Sequence, residues 1–255
     1  MAGTTVVNDF ASLVAFGPRE SQLSTPLRNL QSHVYNLVSE AKSLLKSDAQ
    51  RKSTFSPYIG RGILEAGLTA ILFRADPFRA MTLCRFQSDI DFDHNSPNNI
   101  SVSWADDIMC NADIRDPWRS KTKPESVSRA LFSPYTDEIL WKPALNKVND
   151  HISSNNIGFT FPSVTDLDGS IFIGAMKGQA RQLYSFWSKG IYGELFTIGN
   201  HTLDSITCDE KLKKSIDIVL DLAYVSHFIS TSISKTSAKK ATQRYMKVKE
   251  FVHGG

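Results

Sequence analysis

The sequence predicts a mainly α-helical globular fold, and three observations carry that expectation. Apolar residues recur at three- and four-residue spacing over long segments. Four Ser/Thr/Asp–Pro pairs resemble helix starts, and the 41% hydrophobic and 22% charged fractions are those of an ordinary globular chain. At 255 residues the chain can bury a core without a metal or disulfide staple.

The expected starts are Thr25-Pro26, Ser56-Pro57, Asp76-Pro77 and Ser133-Pro134, where a capping oxygen precedes a proline whose missing N–H costs nothing. A first helix over about 26–46 carries Leu27, Leu30, Val34, Leu37, Ala41 and Leu44 as one stripe, and a polar linker over 47–54 follows. Residues 57–74 are apolar nearly all round, and Gly60, Gly62 and Gly67 there imply close approach by a neighbouring element. Asp76-Pro77 breaks that helix, and a short one continues to about Gln87. Periodicity is lost over an irregular insert at about 88–123, where Ile100, Val102 and Trp104 alternate as in a short strand. Helical patterning returns near Pro124 and over 134–149. A second insert at about 151–170 holds the strand-like 157–161 and the turn signal Asp166-Leu167-Asp168-Gly169. Residues 171–189 read as a buried helix with Gly174 and Gly178 forming a small-residue face. Residues 209–230 read as an amphipathic helix, and 238–252 as a basic C-terminal one. The expected architecture is one multi-helix domain over 1–255 with a small β element in the middle of the chain.

Cys84, Cys110 and Cys208 are far apart and odd in number, so neither a disulfide framework nor a zinc site is expected. No secretory signal and no run of eighteen apolar residues is found, which points to a cytoplasmic protein without a membrane partner. The net charge of +3 is uneven. Beyond Ile229 the six cations Lys235, Lys239, Lys240, Arg244, Lys247 and Lys249 face one carboxylate, Glu250, so the rest of the chain carries about −2. Such an end suits a polyanionic partner, and it equally well solvates a terminal helix. Arg181 beside Tyr184, Phe186 and Trp187 adds an aromatic and basic mixture of the kind that binds single strands. RNA or DNA is therefore one candidate partner; other protein subunits or a homodimer are the alternatives.

Candidate chemistry is sparse. Arg28 and His33 end the segment Arg-Asn-Leu-Gln-Ser-His, whose spacing resembles the R-x4-6-H signature of HEPN ribonucleases. The resemblance implies a helical, usually dimeric, metal-independent enzyme of the kind frequent in bacterial toxin and anti-phage systems. It further implies that Arg28 stabilises the phosphate and His33 transfers a proton as a 2′-hydroxyl attacks. Without it, the two are a solvent-facing arginine and a boundary histidine. Asp89, Asp91 and Asp93, followed by His94, would share one face of an extended segment and could converge on Mg²⁺ or Mn²⁺; in a loop they are a solvated acidic turn. Arg61 and Glu65 lie four apart on the most apolar helix and must pair if buried. No phosphate-binding glycine loop, dinucleotide fingerprint, nucleophile elbow or H-E-x-x-H motif is present. The reading that follows is a non-catalytic helical interaction protein without a cofactor, a nucleic-acid-contacting subunit of a larger assembly of the bacterial defence type. The alternatives are a HEPN-like ribonuclease acting as toxin or anti-phage effector, and a metal-dependent nuclease built on the 89–94 acidic cluster.

Overall fold

A computed structural model describes residues 2–17, 24–81, 127–158, 161, 169–191, 204–233 and 235–254. Helix α1 (Ala2–Ala15) turns Val7, Phe10, Leu13 and Val14 inward. Helix α2 (Ser24–Leu44) buries Leu27, Val34, Val38, Ala41 and Leu44, one stripe at helical spacing. Helix α3 (Ala49–Ala75) is buried over nearly its whole second half. A helical stretch at 77–81 follows, with Asp76 accepting from the Arg79 backbone N–H at 3.1 Å. Helix α4 (Val127–Phe132) leads through a single turn (Pro134–Thr136) and a π-helical stretch (Asp137–Trp141) into α5 (Lys142–Ser154). The remaining helices are α6 (Gly169–Ile191), α7 (Ser205–Ser226) and α8 (Ala238–His253).

Two of the four proline pairs mark starts, Ser133 and Asp76 both accepting a backbone N–H three residues on. Ser56-Pro57 does not. Pro57 lies inside α3, which begins at Asp48, whose carboxylate accepts from the Arg51 N–H at 2.9 Å. The polar segment expected as a linker is therefore the first turns of α3. An aspartate cap satisfies orphan N–H groups, and Lys52 Nζ meets Asp209 at 2.7 Å, which anchors those turns to α7. Pro26 lies within the first turn of α2, which starts at Ser24. Asp204 caps α7 five residues before the expected start, accepting from the Thr207 N–H at 2.8 Å.

Helix α3 runs through the centre, packed on α1, α2, α6 and α7. It is parallel to α7: Lys52 meets Asp209 near the two starts, Gly67 faces Val219 further along, and the Ile233 N–H, beyond the end of α7, reaches the carbonyl of Arg74 in the last turn of α3 at 3.3 Å. Helix α8 returns antiparallel to α7, with Tyr224 against Thr242, Asp221 against Tyr245 and Asp217 against Lys249. Helix α1 closes the bundle against α2 and α8. Gly60 and Gly67 permit the close contacts, since a Cβ on Gly60 would overlap the Trp187 indole and one on Gly67 would come within 2.5 Å of Val219 Cγ1. Gly174 and Gly178 do not form the expected packing face: both are exposed, with nothing within 4 Å of where a Cβ would stand. One cluster of buried side chains joins all these helices, with the Tyr224 and Tyr245 rings stacked at 4.5 Å in its midst.

The fold is mainly α. The small β element is not shown: 157, 158 and 161 are not in a strand, and Ile100, Val102 and Trp104 lie outside the described residues. So do Asp166, Asp168, Cys84 and Cys110, while Cys208 is a buried thiol that burial pushes above its ordinary pKa. No described helix is long and apolar enough to cross a membrane.

Candidate functional site

Two surfaces and two buried polar networks hold the chemistry. The first surface lies between α1 and α2, where Asn8, Ala11, Gln31, Ser32, Tyr35 and Asn36 line a groove of about 390 Å³. Arg28 and His33 are both exposed on α2 beside it. Helical spacing places Arg28 one turn before Gln31 and Ser32, and His33 one turn before Asn36, so the two residues flank the α2 wall. The Arg28 Nε donates to the Ser24 carbonyl at 3.3 Å, which steadies the stem of the side chain and leaves both Nη groups to solvent.

The second surface is basic. Lys147 on α5 donates to Ser230 Oγ, and Lys235 donates to the Ser230 carbonyl at 3.0 Å, so two ammonium groups crowd one exposed serine. His151, one turn along α5 from Lys147, meets Thr242 Oγ1 at 3.2 Å, and Lys239 is one turn before Thr242 on α8. Lys239 and Lys147 therefore stand on facing sides of the α5–α8 junction, with Lys240 beside them at the start of α8. All four lysines are exposed, and none pairs with a carboxylate of the described residues.

The structure divides the C-terminal cations. Lys235, Lys239, Lys240 and Lys247 face solvent, whereas Arg244 and Lys249 point inward. Arg244 Nε pairs with Asp9 of α1 at 3.1 Å. Lys249 Nζ lies between Asp217 and Asp221 of α7, at 2.8 and 3.0 Å. Arg181 is exposed on α6, which packs on α3 and α7, whereas α8 packs on α1 and α7. Its aromatic neighbours are not a stacking platform: Tyr184 and Trp187 are buried, and the Trp187 indole N–H donates to Ser215 Oγ at 3.0 Å.

The α7–α8 network looks at first like a metal site, since Asp217, Asp221 and His253 converge. Lys249 already occupies the place a cation would take. The Tyr245 hydroxyl donates to Asp221 at 2.8 Å, and His253 Nε2 meets Asp217 Oδ2 at 2.9 Å. Burial raises the Asp221 pKa, partly offset by Lys249; it raises Tyr245 further, with the Asp221 charge adding to it. For Lys249 burial acts downward, but the two carboxylates outweigh it and hold the ammonium above its ordinary value. Among the described residues no three His, Cys, Asp or Glu side chains form a metal-binding group. Asp89, Asp91, Asp93 and His94 lie outside the described residues.

The second network is on α3. Arg61 Nε donates to Glu65 Oε1 at 2.7 Å, an Nη donates to the Tyr184 hydroxyl at 2.7 Å, and the guanidinium lies 4.7 Å from the Tyr184 ring centroid. The arginine is buried, Glu65 is partly exposed, and the pair pins α6 to α3. Lys147, Ser230, Asn8 and Asn36 carried no signal in the sequence. They acquire meaning only because segments far apart in the chain meet. No family model, curated protein or solved structure matches this chain.

Proposed function

We propose that this chain is a non-catalytic helical interaction protein that contacts nucleic acid, or another polyanion, through the surface formed by Lys147, Lys235, Lys239 and Lys240. The observation that carries the reading is the convergence of Lys147 and Lys235 on Ser230 without a carboxylate between them. Like charges held this close repel, and a row of phosphates would relieve the repulsion while releasing counterions. With Arg244 and Lys249 paired to carboxylates, the exposed cations of the C-terminal end are Lys235, Lys239, Lys240 and Lys247, and the first three are the ones near Lys147 of α5.

The test is a salt series of binding to labelled single-stranded RNA and duplex DNA. It compares the wild type with a variant carrying Gln at 147, 235, 239 and 240. All four residues are exposed, so the fold should survive. Each phosphate contact contributes about 0.7 to the log–log salt slope for a single strand and about 0.9 for a duplex, so losing four contacts lowers the slope by roughly 3. Unchanged affinity and slope would sink the proposal.

A second reading has one observation in its favour. Arg28 and His33 are both accessible and flank the groove-bearing face of α2, as metal-independent RNA cleavage at that motif requires. RNA incubated with the protein in EDTA should then be cut, and His33→Ala should abolish the cutting. Cleavage that persists in the variant, or its absence in the wild type, removes this reading.

A further inference from the structure

The α1–α2 groove is not part of the lysine surface, and its chemistry is different. Its volume of about 390 Å³ is near the lower end of the roughly 300–1,000 Å³ typical of small-molecule sites. Its described lining is polar apart from Ala11 and carries no charge. The Asn8 and Asn36 amides, the Ser32 hydroxyl and the Tyr35 phenol have no hydrogen-bond partner among the described residues, although all four border one space. Gln31 is engaged only weakly, its Nε2 lying 3.4 Å from Ser12 Oγ.

Primary amides present a donor and an acceptor side by side, and a ligand edge with the reverse pair completes both. Nucleobase edges have that pattern, and Asn and Gln amides read them in pairs. Tyr35 adds an aromatic face of the sort on which a base rests. No cation lines the groove among the described residues, so an isolated anion has no described counter-charge there. Arg28 is exposed one turn before Gln31 and Ser32 but outside the lining; its guanidinium rests on the Ser24 carbonyl and would have to swing toward the groove to meet a phosphate there. We infer that the groove binds a nucleotide, its base held by the Asn8 and Asn36 amides against Tyr35 and its phosphate by Arg28. The nucleotide is either free or one unit of a single strand.

Calorimetric titration with AMP, adenosine, a short oligoadenylate and a neutral disaccharide tests this. AMP should bind saturably. Asn8→Ala and Asn36→Ala should each weaken AMP and adenosine about tenfold, as loss of one or two neutral hydrogen bonds does. Arg28→Gln should weaken AMP to the level of adenosine and leave adenosine unchanged. These side chains are exposed, so melting temperatures near that of the wild type will show that the variants are folded. Binding of AMP identifies the free nucleotide as a ligand. Binding of the oligonucleotide alone, lost in the Asn variants, identifies the strand. The quadruple lysine variant should keep its AMP affinity, which separates failure of the groove from failure of the basic surface. The inference is overturned if neither AMP nor the oligonucleotide binds. Indifference of that binding to both Asn substitutions, or tighter binding of the disaccharide, overturns it equally.

Discussion

His227 is the residue whose surroundings most constrain its chemistry. Its Nε2–H donates to the Leu13 carbonyl at 3.0 Å, and its Nδ1 accepts from the Thr236 N–H at 3.3 Å, an arrangement only the neutral ring with the proton on Nε2 satisfies. Burial, then the Arg74 charge, then that of Arg244, hold its pKa well below the ordinary histidine value. Arg74 is itself fully buried, donates to the Leu13 and Val14 carbonyls at the end of α1, and is pushed down to about 9 by burial, so it stays charged at neutral pH. The consequence for stability has a definite sign. Below pH ~6.5 the unfolded chain takes up a proton that the folded His227 refuses, so stability falls as pH drops from 7 toward 5, by at most about 1.4 kcal/mol per unit for this one group. In urea melts, His227→Gln should lower stability at pH 7 yet show a flatter pH dependence between 7 and 5. An unchanged slope would place the acid sensitivity elsewhere.

At the scale of elements, α8 is held by ion pairs that the sequence presented only as a run of cations. Lys249→Met would leave Asp217 and Asp221 facing each other, both mostly buried, without the ammonium between them and with only His253 and the Tyr245 hydroxyl as partners. Breaking a buried pair in this way costs about 3–5 kcal/mol. The neighbouring exposed Lys247→Met should change stability by no more than about 0.5 kcal/mol. Denaturant midpoints of the two variants distinguish a pinned helix from a merely solvated one. The same contrast marks what was legible beforehand. The stripes of α2 and α7 were readable because one face repeats at helical spacing, and the Ser133 and Asp76 starts because capping chemistry is local. The start of α3 was not, because a polar segment docked by Lys52 on Asp209 looks like a linker until α7 is beside it. Helix α1 gave no cap–proline signal; its inward Val7, Phe10, Leu13 and Val14 form a face only against α2 and α8. Gly60 and Gly67 were correctly legible as close-approach positions, but nothing local distinguishes them from the exposed Gly174 and Gly178. The groove and the Ser230 lysine pair each join residues distant in the chain, beyond the reach of any periodicity.

For the whole molecule, the parallel pair α3 and α7 is the axis to which the other helices are fastened, and α8 seals one side of it. Tyr245, Val248 and Val252 are almost fully buried, Tyr245 stacks on Tyr224, and Arg244 ties α8 to Asp9 of α1. Removing the chain after Ser237 would therefore expose α7 and release α1, rather than trim a basic appendage. Uncovering one Tyr and two Val side chains costs about 1.5–3 kcal/mol each, before the orphaned Asp217 and Asp221 are counted. In a domain this size each kcal/mol shifts the melting temperature by about 2–4 °C, so the truncation should melt at least about 10 °C lower. It should also lose protection at α1 amides in hydrogen exchange. Loss of nucleic-acid binding by such a truncation would report unfolding as readily as loss of lysines, and for that reason the surface at Lys147, Lys235, Lys239 and Lys240 has to be tested by point substitution in the full chain. If the truncated chain keeps its melting temperature, α8 is peripheral. Arg244 and Lys249 would then return to the set of cations available to a partner.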